Sequence, residues 1–62
     1  MQYGYIGLGH LGGHLAASLL KAGFPVTVHD IDRSLGHRHL ALGAKWAESP
    51  RELADGCDAV LT

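Results

Sequence analysis

Apolar and polar positions divide the chain into four short β-favouring stretches separated by three stretches of helical spacing. Tyr3-Gly4-Tyr5-Ile6 is uncharged and apolar, as expected of a parallel strand covered on both faces. Leu11, Leu15 and Leu19 then recur every fourth residue and lay an apolar stripe along a helix from about Gly9 to Ala22. Lys21 sits near the negative end of that helix, and Gly23 is the left-handed residue that closes it. Pro25 prevents further helix and opens a β-branched strand, Pro25-Val26-Thr27-Val28-His29. Asp32 is placed to cap a second helix running through Leu42 and closed by Gly43, within which Gly36 costs about 1 kcal/mol relative to alanine. Ala44-Lys45-Trp46-Ala47 is a short third strand, with Trp46 packing at the sheet edge. Ser49-Pro50-Arg51-Glu52 forms a capping box in which Ser49 caps, Pro50 fills the first helical position and Glu52 reaches back to Ser49. The third helix stops at Gly56, and Asp58 to Thr62 begins a fourth strand.

The first strand, helix and second strand fit within about 30 residues, the length of a right-handed βαβ unit. The order β-α-β-α-β-α-β predicts an α/β fold, an incomplete doubly wound parallel sheet of Rossmann type with strand order 3-2-1-4. Between the first strand and the first helix lies Gly7-Leu8-Gly9-His10-Leu11-Gly12, a G-x-G-x-x-G sequence. In that position Gly7 allows a tight turn, Gly9 lets backbone approach a pyrophosphate and Gly12 lets the helix sit close on its strand, with Ala16 keeping the next turn small. Unpaired N–H groups and the positive dipole end at the helix start favour an anion. Asp30 ends the second strand, 18 residues past Gly12, where an acid accepts hydrogen bonds from the adenosine ribose and repels a 2′-phosphate. The alternative is a turn or capping role for Asp30, but Asp32 is better placed as the cap.

At 62 residues the chain is at most one domain, and a domain of this size buries only about 60% of its unfolded surface. A formal net charge of −1 suggests neither nucleic acid nor a membrane surface as partner. No apolar run approaches the ~18 residues of a membrane span. The first strand begins almost at Met1, leaving no room for a signal peptide, and the single Cys57 cannot pair within the chain, so a reducing, cytoplasmic location is expected. Cys57 itself is expected to be a packing residue. Five histidines raise the possibility of a metal, but His10 and His14 are one pair, His37 and His39 another, and neither has the partners that a site needs, so no metal is expected. Those rings are expected to be solvated or snorkelling, apart from His10, which lies inside the loop and within reach of a pyrophosphate or substrate. His29 is expected to face the nucleotide edge or solvent.

The segments YGYIGLGHLGGHLA, LLKAGFPVTVHD, LGAKW and AESPRELADGCDAVLT, in that order and spacing, resemble the amino-terminal cofactor domain of the β-hydroxyacid dehydrogenase family. Its members include 3-hydroxyisobutyrate dehydrogenase, tartronate semialdehyde reductase and, more distantly, 6-phosphogluconate dehydrogenase. Leu11 stands where family members usually carry Met, an apolar replacement of similar volume. Gly36 and His37-Arg38-His39 are less typical. The resemblance implies hydride transfer between a nicotinamide cofactor and a β-hydroxy acid. It also implies that residues 1–62 are the amino-terminal part of an NAD(P)-binding domain. The family's catalytic lysine and Ser-Gly-Gly segment, and the helical domain through which its members oligomerise, are not among these residues. The cofactor positions carried over are Gly7, Leu8, Gly9, His10, Leu11 and Gly12 in the loop, with His10 and Leu11 supplying N–H groups, and Asp30 with Ile31 at the strand end. Asp30-Ile31 replaces the Asn-Arg common in NADP-using members, which favours NAD over NADP, the counterweight being Arg33, which is near enough to swing toward a 2′-phosphate. Two alternatives remain: a nucleotide-binding module without catalysis, and an NADPH-linked relative such as an imine reductase.

Overall fold

Strands joined by helices rather than hairpins must pair in parallel, and all four strands here do. The computed structural model describes the backbone of residues 1–62 and the side chains of all but His10 and Leu11. In chain order the elements are β1 (Tyr3–Ile6), α1 (His10–Lys21), β2 (Val26–His29), a 3₁₀ turn (Arg33–Gly36) leading into α2 (His37–Ala41), β3 (Lys45–Trp46), α3 (Pro50–Gly56) and β4 (Ala59–Leu61). The sheet order is β3-β2-β1-β4, the predicted 3-2-1-4. Tyr3 pairs with Val26 on one side and Ala59 on the other. Asp58 fastens the start of β4, its Oδ2 accepting from the Gln2 N–H at 2.7 Å while its own N–H donates to the Gln2 carbonyl at 2.8 Å.

Alternation along the strands builds two cores. Tyr5, Val26 and Val28 face α1 and pack with Leu8, Ala16 and Ala44. Gly4 faces the other way, where a methyl group would collide with Leu53 of α3 and come within 2.8 Å of Cys57 Sγ. Half-buried Cys57 is thus a packing residue, as expected. Of the leucine stripe, Leu19 packs against the core while Leu15 is exposed. Leu15 is 46% exposed, whereas Ala16 and Ala17 are buried and Leu19 and Leu20 half-buried. Small residues occupy the contact because α1 lies too close to the sheet for leucines at that position.

The second helix also differs from expectation. Asp32 does cap, its Oδ1 accepting from the Ser34 N–H at 3.0 Å, but what it starts is a 3₁₀ turn, and only His37–Ala41 is α-helical. Gly36 at the junction is buried against Trp46, and a methyl there would collide with the indole. The glycine is thus a packing requirement as well as a weak helix former. Third-strand pairing is confined to Lys45–Trp46, with Trp46 on the outer strand as expected. At α3, Ser49 Oγ accepts from the Glu52 N–H at 3.1 Å. Glu52 reaches one residue further back than the capping box predicts, to the Glu48 N–H at 3.2 Å.

One histidine expected at the surface, His39, is structural, while His29 lines the clefts beside Asp30 in keeping with its expected placement. His39 is 4% exposed, with Nε2 2.8 Å from the Gly13 carbonyl and Nδ1 3.3 Å from that of Leu35, so it ties α2 to α1. His29 turns its Nδ1 to the Ala47 carbonyl at 2.8 Å and leans on Trp46. Replacing Gly36 by alanine should destabilise the fold by about 1–3 kcal/mol through overpacking against Trp46, read as a lower midpoint in denaturant. An unchanged midpoint would mean that the indole moves aside freely.

Candidate functional site

The loop after β1 turns sharply at Gly7, whose φ of +90° lies in the left-handed region that glycine tolerates. Its N–H donates to the His29 carbonyl at 2.9 Å, which binds the turn to the end of β2. Five residues later α1 returns so closely over this turn that a methyl on Gly12 would lie 2.5 Å from the Gly7 carbonyl oxygen. Gly9, between them, is exposed, and a methyl there would meet nothing within 4 Å. Gly7 and Gly12 thus make the tight turn and the close helix approach expected of them, and the space beside Gly9 is open.

Gly9 is the N-cap of α1, it brings no side chain to cap the helix, and no acidic residue stands in the first turn. The N–H groups of the first turn therefore have no intrahelical acceptor and face outward past an uncluttered glycine. This is a cradle for an anion, and a diphosphate fits its chemistry. The backbone of His10 and Leu11 forms the first two residues of this helix, while their side chains, including the expected reach of the His10 ring, lie outside the described residues. Leu8 is placed differently from its neighbours. Its side chain is buried in the core, and its N–H is already engaged.

The partner of that N–H is Asp30. Its Oδ2 accepts from Leu8 at 2.6 Å, and its Oδ1 accepts from the Asp32 N–H at 2.9 Å. The carboxylate thus stands directly beside the glycine loop. Its hydrogen bond from Leu8 is the main reason that its pKa falls below the ordinary 3.8, with the Asp32 amide next. Two of its roughly four lone-pair positions are taken by amides, leaving acceptor capacity toward solvent. Ile31, the next residue, is fully exposed. A cleft of about 150 Å³ is lined by Ile6, Gly7, His29, Asp30, Ile31 and Pro50, so the loop, the acid and the exposed isoleucine share one opening. A second, of about 360 Å³, continues outward past Asp30 and Ile31 to Arg33, Trp46 and Glu48.

Sequence patterns alone revealed neither the Leu8–Asp30 bond nor the Arg33–Glu48 ion pair at 3.1 Å. Both join residues far apart in the chain. Among the described residues no group of three or more histidine, cysteine or acidic side chains is arranged to hold a metal.

Because the folded-state pKa of Asp30 is depressed, its contribution to stability is complete above 3.8 and disappears as the pH falls through the folded-state value. The stability gap between wild type and Asp30→Asn, measured by denaturant unfolding from about pH 7 to about pH 2.5, should therefore narrow below about pH 4. A gap that stayed constant would show that the ionised carboxylate adds nothing.

Residues 2–62 match the family model described as the NAD binding domain of 6-phosphogluconate dehydrogenase. The NAD-dependent L-serine dehydrogenase of Pseudomonas aeruginosa is 41% identical over 61 residues, covering 98% of this chain and 20% of that protein. The mitochondrial 3-hydroxyisobutyrate dehydrogenase of Mus musculus is 34% identical over 59 residues, covering 95% of this chain and 18% of its own. Among solved structures, the imine reductase of Myxococcus stipitatus in complex with NADP+ superposes with a TM-score of 0.93 at 25% identity, over 97% of this chain and 21% of the other. The chain thus spans about a fifth of the length of these relatives. With a match across nearly its whole length and the glycine loop and acid in place, the chain belongs to the family of NAD-binding domains represented by that of 6-phosphogluconate dehydrogenase.

Proposed function

We propose that these residues form the cofactor-holding part of an oxidoreductase acting on a β-hydroxy acid, with NAD in preference to NADP. The observation that carries this reading is the Asp30 carboxylate, tied at 2.6 Å to the amide between the first two loop glycines. In this reading the first-turn N–H groups of His10, Leu11 and Gly12 receive the diphosphate, and Gly7 and Gly9 keep side chains out of its way. The lone pairs that Asp30 has not given to Leu8 and Asp32 accept from the ribose hydroxyls. Ile31, exposed beside it, offers the adenosine an apolar surface. The cofactor, when bound, supplies hydride chemistry.

Preference for NAD follows from charge. The hydrogen bonds to Asp30 hold its carboxyl in the ionised form, and an anion placed to hold a ribose hydroxyl repels a phosphate on that hydroxyl. The β-hydroxy acid substrate is proposed from the relatives, since two of them are named for the oxidation of serine and of 3-hydroxyisobutyrate, both β-hydroxy acids. Substrate contacts, catalysis and oligomerisation are proposed to belong to the rest of the protein.

Trp46 shares a cleft with Asp30 and Ile31, so its fluorescence reports on binding there. Titration of the full chain with NADH should give a saturable change, with NADPH weaker by about tenfold or more, the cost of one unfavourable contact to a charged group. Asp30→Asn combined with Ile31→Arg should reverse that order. If neither dinucleotide binds, the reading fails; if the double variant keeps its preference for NADH, the role of Asp30 fails.

A further inference from the structure

Arg33 presents a puzzle for a site that prefers NAD. It lies three residues past Asp30 and lines the same cleft, and an arginine near the end of the second strand is what accommodates a 2′-phosphate in NADP-binding folds. Its guanidinium is already engaged. Nη1 donates to Glu48 Oε1 at 3.1 Å, and the guanidinium carbon stands 5.5 Å from the centre of the Trp46 ring. Both partners are held in place. Trp46 is wedged against Gly36 and leans on His29, at 5.7 Å between ring centres. The Glu48 backbone is fixed by its N–H bond to Glu52 at 3.2 Å, one residue before the Ser49 cap of α3.

We propose that Glu48 is a specificity-determining positioning residue: by holding Arg33 in an ion pair beside Trp46 it engages, within the cleft, a cation that would otherwise be free to bind a 2′-phosphate. The inference rests on the assignment of the cleft to a dinucleotide. Capture of a phosphate by Arg33 requires breaking the Glu48 pair and leaving the indole face. An exposed ion pair and an exposed cation–π contact are each weak, so the hold is modest in size. It adds to the repulsion from Asp30, which acts on the phosphate directly, whereas Glu48 acts through Arg33.

Affinities for NADH and NADPH are measured on the full chain for wild type, Glu48→Gln, Arg33→Ala and the double variant, at one low salt concentration because exposed charge pairs are screened. Glu48→Gln should tighten NADPH binding by about 2- to 5-fold and leave NADH affinity essentially unchanged. That ratio would not move if Glu48 merely supported the fold. Arg33→Ala alone should alter NADPH binding little, and in its presence Glu48→Gln should bring no gain. An unchanged NADPH affinity in Glu48→Gln overturns the proposal, as does a gain that persists in the double variant, which would mean that Glu48 repels the phosphate itself. Failure of wild type to bind either dinucleotide overturns the cofactor assignment and this inference with it, whereas NADH binding without a Glu48 effect overturns this inference alone.

Discussion

The site depends on how closely helix α1 approaches the turn that precedes it. Where a methyl on Gly12 would press against the Gly7 carbonyl oxygen, and one on Gly13 would lie 2.9 Å from that of Leu8, only hydrogen fits. This contact places the first turn of the helix directly over the end of β1, and so aims its free N–H groups at the sheet's upper edge. The most closely packed part of α1 is small for the same reason, with Gly13, Ala16 and Ala17 buried and Leu19 and Leu20 packing farther along the helix.

Asp30 completes the geometry from the neighbouring strand. By accepting from the Leu8 amide it joins the ends of β1 and β2 a second time, beyond the ladder and the Gly7-to-His29 bond. One carboxylate therefore shapes the loop and, in the proposed reading, also supplies the charge by which the site selects its ligand. Whatever replaces it must satisfy the Leu8 amide.

Much of this was legible because it is local. The three loop glycines fall within six residues, Asp30 follows at a fixed spacing, and the strand-helix alternation determines a parallel sheet whose order the structure bears out. The parts that were not legible rest on contacts between distant residues. His39 reaches Gly13 across 26 positions and Arg33 reaches Glu48 across 15, and no periodicity announces either pairing. Gly36 is the instructive case, since its unfavourable helix propensity was visible, while the indole that requires a glycine comes from another strand. The leucine spacing located the helix but only part of its packed face, since Leu19 meets the core while Leu15 is exposed, and periodicity does not show how near a neighbour lies.

Strand β4 is an outer strand of the sheet, one place from the strand that carries the glycine turn. Its far side presents backbone donors and acceptors without a ladder, next to Val60 and Leu61, which are 41% and 40% exposed. Such a margin is a template for any extended segment that meets it. When these 62 residues are produced by themselves, that margin therefore favours pairing between copies, and a lysine or proline introduced along it would act as a gatekeeper.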